Sequence, residues 1–249
     1  DFDGFYDYHS VKGVKDKATV LASLVDPKFK GSPGTRLKDD ARPYLMVSQA
    51  VGAGRVGRLR IGMIDIAAVH HCRDGVQRFR DRHPELDVGF TVAPTGALLD
   101  SLERNDLDVV VCVDPEGTGP FDATPLLRDD LAVYAPPGVD PTVGPDQWGP
   151  WLLFPASSRT RTAIERRLRE LGAPLVVAME SHQPEVLVEM VQLGFGWTVL
   201  PTTQAEHGTD RPTRAMAAPL LSRTISAVTR RGGALHPATT PFIEALMAQ

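Results

Sequence analysis

From residue 58 onward, short apolar runs alternate with amphipathic stretches. The run Arg58-Leu-Arg-Ile-Gly-Met-Ile-Asp-Ile66 alternates at first and is then nearly continuous in apolar residues, which predicts a strand entering a sheet covered on both faces. A helix is predicted next, with Ala68, Val69, Cys72, Val76 and Phe79 on one side and Arg73, Asp74, Arg78, Arg80 and Arg82 on the other; His83-Pro84-Glu85 ends it. Leu86 to Val92 reads as a second strand, Thr95 to Arg104 as a short helix and Leu107 to Val113 as a third strand. Strand and helix in alternation predict a parallel sheet with right-handed crossovers.

The order changes after Asp114. A Gly/Pro loop at Glu116 to Phe121 leads into a longer extended run, Thr124 to Ala135, and then into the turn-rich segment Pro136 to Pro150. A second alternating block follows: strand Trp151 to Phe154, helix Arg159 to Leu171, strand Leu175 to Met179, helix Pro184 to Leu193 and strand Gly196 to Leu200. The tail offers a strand at Thr224 to Thr229 and a helix from Pro237 to Met247. Two such units predict an α/β body of two lobes. Lobe I covers about 56–123 and 216–249, lobe II about 136–200, and the chain crosses at about 114–135 and 201–215.

Residues 1–40 do not share this texture. All six lysines fall in the first 38 residues with a single arginine, Arg36, whereas the 20 basic residues that follow are all arginine. Lys30-Gly-Ser-Pro-Gly-Thr35 forms a turn-rich junction, so residues 1–40 are expected to be a leader of separate origin, fused or added, with a native amino-terminal extension as the alternative. Residues 41–55 read as the end of a connecting helix, stopped by Gly52, Gly54 and Gly57.

The formal charge of −4 argues against a nucleic-acid surface, which carries a basic excess. With two cysteines, Cys72 and Cys112, each in an apolar segment, no disulfide framework or Cys-rich zinc site is expected, and a reducing, cytoplasmic setting fits. No run of about 18 apolar residues occurs, so neither membrane nor export is expected.

Familiar catalytic patterns are absent. Gly52-Ala-Gly-Arg-Val-Gly57 precedes its strand rather than following one, the wrong order for a pyrophosphate loop. His70 and His71 are neighbours on a predicted helix and share no face, so they read as an exposed pair beside a core thiol; no metal and no cofactor is expected. More informative are four junctions where strands meet helices: Asp65-Ile66-Ala67-Ala68, Pro94-Thr95-Gly96, Ala156-Ser157-Ser158-Arg159-Thr160 and Ser181-His182-Gln183-Pro184. Singly they read as helix caps. Together, at the carboxyl ends of strands in two facing lobes, they predict a cleft where backbone N–H groups and hydroxyls hold a small anion. Asp65 opposes a simple anion pocket unless Arg159, Arg161 or a ligand amine balances its charge.

The segments Val56-Gly-Arg-Leu-Arg-Ile-Gly62, Phe79-Arg-Asp-Arg-His-Pro-Glu-Leu-Asp-Val88, Gly96 to Leu102 with Leu107-Asp-Val-Val-Val111, and Val186 to Pro201 recur here in one order over residues 56 to 247. In that order and spacing the chain resembles the effector-binding domain of LysR-type transcriptional regulators. The resemblance implies two Rossmann-like lobes, like those of type 2 periplasmic binding proteins, holding a small-molecule effector between them in a cytoplasmic, non-enzymatic regulator. By position, it implies a cleft lined by Asp65, Ile66, Thr95, Gly96, Ser157, Ser158, Arg159, Ser181, His182 and Trp197. It also implies a homodimer, or a tetramer at full length, with helix Ala68 to Arg82 of one subunit near helix Pro184 to Leu193 of the other. DNA would be met through a winged helix-turn-helix that is not recognisable in residues 1–40. Two alternatives are a transporter's solute-binding protein and a small-molecule lyase; the latter would draw on Asp65 and His182 as acid or base.

Overall fold

A computed structural model describes residues 57–115, 119–207 and 211–248. The leader, the connecting helix and the glycine motif that ends at Gly57 fall almost wholly outside these residues. The strands are β1 (Gly57–Met63), β2 (Leu86–Val92), β3 (Val109–Val113), β4 (Phe121–Ala135), β5 (Trp151–Leu153), β6 (Val177–Glu180), β7 (Trp197–Pro201), β8 (Thr213–Arg214) and β9 (Leu221–Arg230). The helices are α1 (Arg73–Arg82), α2 (Thr95–Glu103), α3 (Arg159–Glu170), α4 (Pro184–Gln192), the single turn α5 (Thr202–Ala205) and α6 (Thr239–Met247). Among the described residues no helix is long and apolar enough to cross a membrane.

The strands lie in the order β2-β1-β3-β9-β4-β7-β5-β6, with β8 on β4. Pairing is parallel within β2-β1-β3 and within β7-β5-β6, as their helical crossovers require. Between these two parallel sets run β4 and β9, antiparallel to each other from Phe121↔Arg230 to Leu131↔Leu221. The far half of β9 pairs with β3 and the far half of β4 with β7, so the two long strands form a ribbon belonging to both lobes.

Each lobe has its own core. In the first, Leu59, Ile61 and Met63 of β1 and Val109 to Val111 of β3 pack beneath Phe79 of α1 and Phe242 of α6. In the second, Trp151 and Trp197 meet Ile164, Leu168 and Leu187 from the helices. The chain enters the second lobe along β4 and returns along β9. Residues 201–215, expected to carry the return, instead hold α5 and β8, and Ala205 and Leu220 still pack into the second core. Their polar residues concealed this: Thr202-Thr203-Gln204 has no apolar periodicity of its own and is helical because α4 and β4 support it.

The helix before α1 departs from expectation. Ala67–His71 is a π-helical turn, and Cys72 N–H donates to Ala67 O at 2.8 Å, one residue further back than in an α-helix. The extra residue rotates the face: Ala67 and Cys72 enter the core, while Val69, expected inside, is 59% exposed. His70 and His71 are half-buried instead of exposed.

α1 reaches its place because Gly75 lets it approach α6 closely. A Cβ at Gly75 would stand 2.9 Å from Ala245 O and 3.0 Å from Leu246 Cα, both backbone atoms. Gly75→Ala is therefore expected to lower the unfolding free energy by about 1–3 kcal/mol in urea titrations, through overpacking that pushes the two helices apart.

Candidate functional site

The parallel strands of each lobe end level with one another and leave two lips. Ile64 N–H donates to Val111 O (3.0 Å) and Ala93 N–H to Met63 O (3.2 Å), holding together the ends of β1, β2 and β3, after which come Asp65, Thr95 and Asp114. In the second lobe Ser157 and Ser158 follow β5, and Ser181, whose N–H donates to Leu153 O at 3.1 Å, follows β6.

Across the ribbon between the lips lies a buried charge pair. Asp129 and Arg223 are direct cross-strand partners. Nε and Nη2 of Arg223 both lie 2.8 Å from Asp129 Oδ2, and Nη1 donates to Thr160 Oγ1 of α3 at 2.8 Å. On the first-lobe side, His71 Nε2 is 3.6 Å from Asp129 Oδ1. Asp129 is 1% exposed, and Arg223 is the cation that lies against its buried carboxylate. The next residues along the ribbon face the opposite way: Arg128 binds Asp130 and Ser222 in an exposed cluster.

Two further contacts bridge the lobes. Arg159 Nη1 donates to Pro115 O at 2.7 Å, beside a pocket of about 500 Å³ lined in part by Leu99, Asp114, Phe121 and Arg159. The rings of His70 and His207 also meet, edge to face at 5.3 Å. Burial holds His70 below the usual imidazole range, and the neighbouring His207 and His71 push the same way, against the pull of Glu185 and Asp65.

Asp65 stands at the centre of this wall. Its Oδ1 accepts Ile66 N–H at 2.8 Å. Burial nevertheless pushes its carboxyl above the ordinary range; Ile66 N–H and Arg223 pull it down, and Glu185, on α4 of the other lobe, adds to the rise. Glu185 Oε1 in turn accepts the Gln204 amide at 2.6 Å.

The residues expected to line the cleft divide into three groups. Arg159 makes an interlobe hydrogen bond, and half-buried Asp65 accepts the N–H of its neighbour Ile66. Thr95, Gly96, Ser157, Ser158 and His182 lie half-buried or exposed along the lips, and Ser158 is the N-cap of α3 without a side-chain cap bond. Ser181 is also at a lip, but its hydroxyl is engaged in a local turn, accepting Gln183 N–H at 3.0 Å. Ile66 and Trp197 are core residues: Ile66 is 1% exposed, and Trp197, in a strand buried on both faces, stacks on Trp148. Arg161, considered as a balance for Asp65, turns into the second lobe and binds Glu165, Phe154 O and Glu180.

Asp129, Arg223, Glu185, Gln204 and His207 escaped the sequence reading, and Thr160, His70 and His71 were named from the sequence only as part of a helix-start junction and as an exposed pair. For Asp129 a signal was present, since a carboxylate inside Leu126-Leu-Arg-Asp-Asp-Leu131 must find a cation once the strand is buried. Among the described residues, no three or more His, Cys, Asp or Glu side chains are grouped to hold a metal ion.

This architecture matches known proteins. The family model described as the LysR substrate binding domain matches residues 52–249, and the chain belongs to that family. A probable hydrogen peroxide-inducible genes activator of Streptomyces viridosporus is 28% identical over 200 residues, covering 75% of this chain and 64% of that protein. The regulator XapR of Escherichia coli is 23% identical over 69% of this chain and 60% of its own. The chain thus spans somewhat less than two thirds of the length of these curated relatives. Among solved structures, the C-terminal domain of a probable LysR family regulator from Rhodococcus sp. RHA1 superposes with a TM-score of 0.64 at 21% identity, covering 78% of this chain and all of that one. The effector-binding domain of QuiR, solved with shikimate, gives 0.67 at 17% identity over 77% of this chain and 95% of its own. The fold is accordingly that of LysR effector-binding domains, with two lobes like those of type 2 periplasmic binding proteins.

Arg223→Ala is expected to lower the unfolding free energy by about 3–5 kcal/mol in urea titrations, because it strands a buried carboxylate, whereas Asp129→Leu with Arg223→Met recovers most of that loss. A second expectation concerns pH. The folded Asp65 carboxyl binds its proton more tightly than the unfolded one, so its ionisation opposes folding above the ordinary carboxylate range. Asp65→Asn should therefore melt higher than the parent at pH 7 in scanning calorimetry, and the difference should close as the pH is lowered and the parent carboxyl is protonated.

Proposed function

We propose that this chain is the sensing part of a LysR-type transcriptional regulator that holds a small effector between its lobes, without transforming it, in the cytoplasm. The observation that carries this reading is the ribbon of β4 and β9 shared by the lobes, together with the contacts of Arg159 with Pro115 O and of His70 with His207. A molecule seated between the lips competes with or completes these bridges, and it shifts the lobe arrangement only by its differential affinity for the arrangements available. A coupling of about 1–3 kcal/mol changes affinity at the distant DNA-binding units by about 5–150 fold.

The thiols favour ligand sensing over peroxide sensing, despite the peroxide-inducible activator among the relatives. Cys72 and Cys112 are fully buried in the first core, and burial pushes their thiols up to about 11 and about 12. Peroxide reacts with an accessible thiolate, which neither residue supplies.

Signal transfer in our reading runs through a dimer. β2 is a sheet edge carrying exposed Phe90 (45%) and Val92 (59%), and Leu193 (64%) and Phe195 (60%) stand exposed after α4. An antiparallel pair of subunits covers one patch with the other. In the whole protein this dimer, or a tetramer built from it, carries the DNA-binding units.

Scanning fluorimetry of the full chain against a metabolite panel, followed by calorimetry and solution X-ray scattering, tests the proposal. The expected hit stabilises the fold by about 2.7 kcal/mol at a hundredfold excess over its Kd, alters the scattering profile and is recovered unchanged. Consumption of the ligand, or an affinity untouched by both Arg159→Ala in one lobe and His70→Ala in the other, overturns it.

A further inference from the structure

A line of contacts runs from the second lobe through the shared ribbon into the first. Thr160, buried at the start of α3, accepts Arg223 Nη1 at 2.8 Å, and Arg223 turns Nε and Nη2 to Asp129 Oδ2, each at 2.8 Å. The other oxygen of this buried carboxylate, Oδ1, accepts no hydrogen bond among the described residues and faces His71 Nε2 at 3.6 Å. That gap is wider than a hydrogen bond. A buried acceptor thus stays unmet with a ring nitrogen a few tenths of an ångström too far away, and closing the gap would remove its cost. The first two links are tight and the last is slack.

His71 also closes the π-turn that opens onto α1. Ala68 N–H donates to Ile64 O at 3.0 Å and Val76 N–H to Cys72 O at 2.8 Å, both with α-helical spacing, whereas Cys72 N–H reaches back to Ala67 O. The π register is therefore bounded on both sides by the α register, from which it differs by one residue. The two registers present different side chains. In the α register Val69, exposed here, turns toward the core, and His71 turns away from Asp129.

We propose that this line of contacts is a relay: the stance of α3 passes through Arg223 and Asp129 to His71, which selects the register of the π-turn and with it the setting of α1. This rests on the reading of the lobes as ligand-responsive and adds how their arrangement leaves the cleft. The guanidinium is planar with fixed donor directions, so a shift of Thr160 cannot be followed by Nη1 unless Nε and Nη2 turn the Asp129 carboxylate with them. That turn moves Oδ1 toward His71 or away from it. At about 3 Å a hydrogen on Nε2 bonds Oδ1 and holds the π register. With Oδ1 withdrawn, burial of Val69 favours the α register. Packing admits the two registers and not a continuum between them, so a small displacement at α3 is converted into a discrete change at the head of α1.

The test is native-state hydrogen exchange at the Cys72 and Val76 amides of the full chain at pH 7.5, referred in each variant to its global stability. Thr160→Val cuts the relay at its far end. Thr198→Val is the control, because its hydroxyl donates to Leu152 O at 2.6 Å inside the second lobe and outside the relay. Thr160→Val is expected to change exchange at both amides about threefold or more, and Thr198→Val to leave them within about twofold. The Thr160→Val effect should vanish in a His71→Phe background, and in His71→Gln where phenylalanine deranges the turn. No effect of Thr160→Val, an equal effect of Thr198→Val, or an effect that persists in both His71 backgrounds overturns the relay. No ligand enters the experiment, so its failure leaves the interlobe cleft to be judged by the metabolite panel.

Discussion

The two-lobed architecture depends on a charge pair placed where its lobes share backbone. β4 and β9 cannot be buried by apolar residues on both faces along their whole length, because between the lobes each faces the cleft. Asp129 and Arg223 occupy that interval as direct cross-strand partners, and Arg223 extends the pair to Thr160 at the start of α3. A buried pair of this kind adds little net stability compared with apolar residues of the same size. Its value lies in geometry: a planar guanidinium with fixed donor directions sets how α3 of one lobe stands over a strand belonging to both.

Most of the fold was legible because its signals are local. Strands buried on both faces are continuous apolar runs, and Leu107 to Val113, Trp151 to Phe154 and Gly196 to Leu200 announced β3, β5 and β7 to within a residue or two. The lips were legible for the same reason, since strand ends and helix starts can be read from periodicity. What composes the wall between them was not. Arg223 meets Thr160 across 63 residues and Asp129 across 94, pairings without local trace. Trp197 was placed in the cleft by position, from the resemblance, but β7 is buried on both faces along its length, so the indole enters the core.

The π-turn at Ala67–His71 shows how a one-residue irregularity redirects chemistry. A regular α-helix there would satisfy the apolar pattern with Val69 inward and leave the histidines to solvent. The additional residue gives up that apolar contact and brings His71 to Asp129 and His70 to His207. A helix defect that exposes a valine while carrying two imidazoles to the interlobe wall makes sense only if the wall matters more than the local burial.

Charge placement in that wall has the same character. Arg161 is 4% exposed and fully matched by Glu165, Glu180 and Phe154 O, as a purely structural ion should be. Asp65 differs, because burial raises its carboxyl and Glu185 raises it further, so its ionised form is destabilised where the fold puts it. Asparagine of the same shape would still accept the Ile66 N–H and carry none of that penalty. The lobe therefore keeps a charge its own stability disfavours, at the junction where the two lobes approach. A group held in this way responds strongly to whatever binds beside it, because a ligand that neutralises the charge gains the relief of that strain in addition to its own contacts.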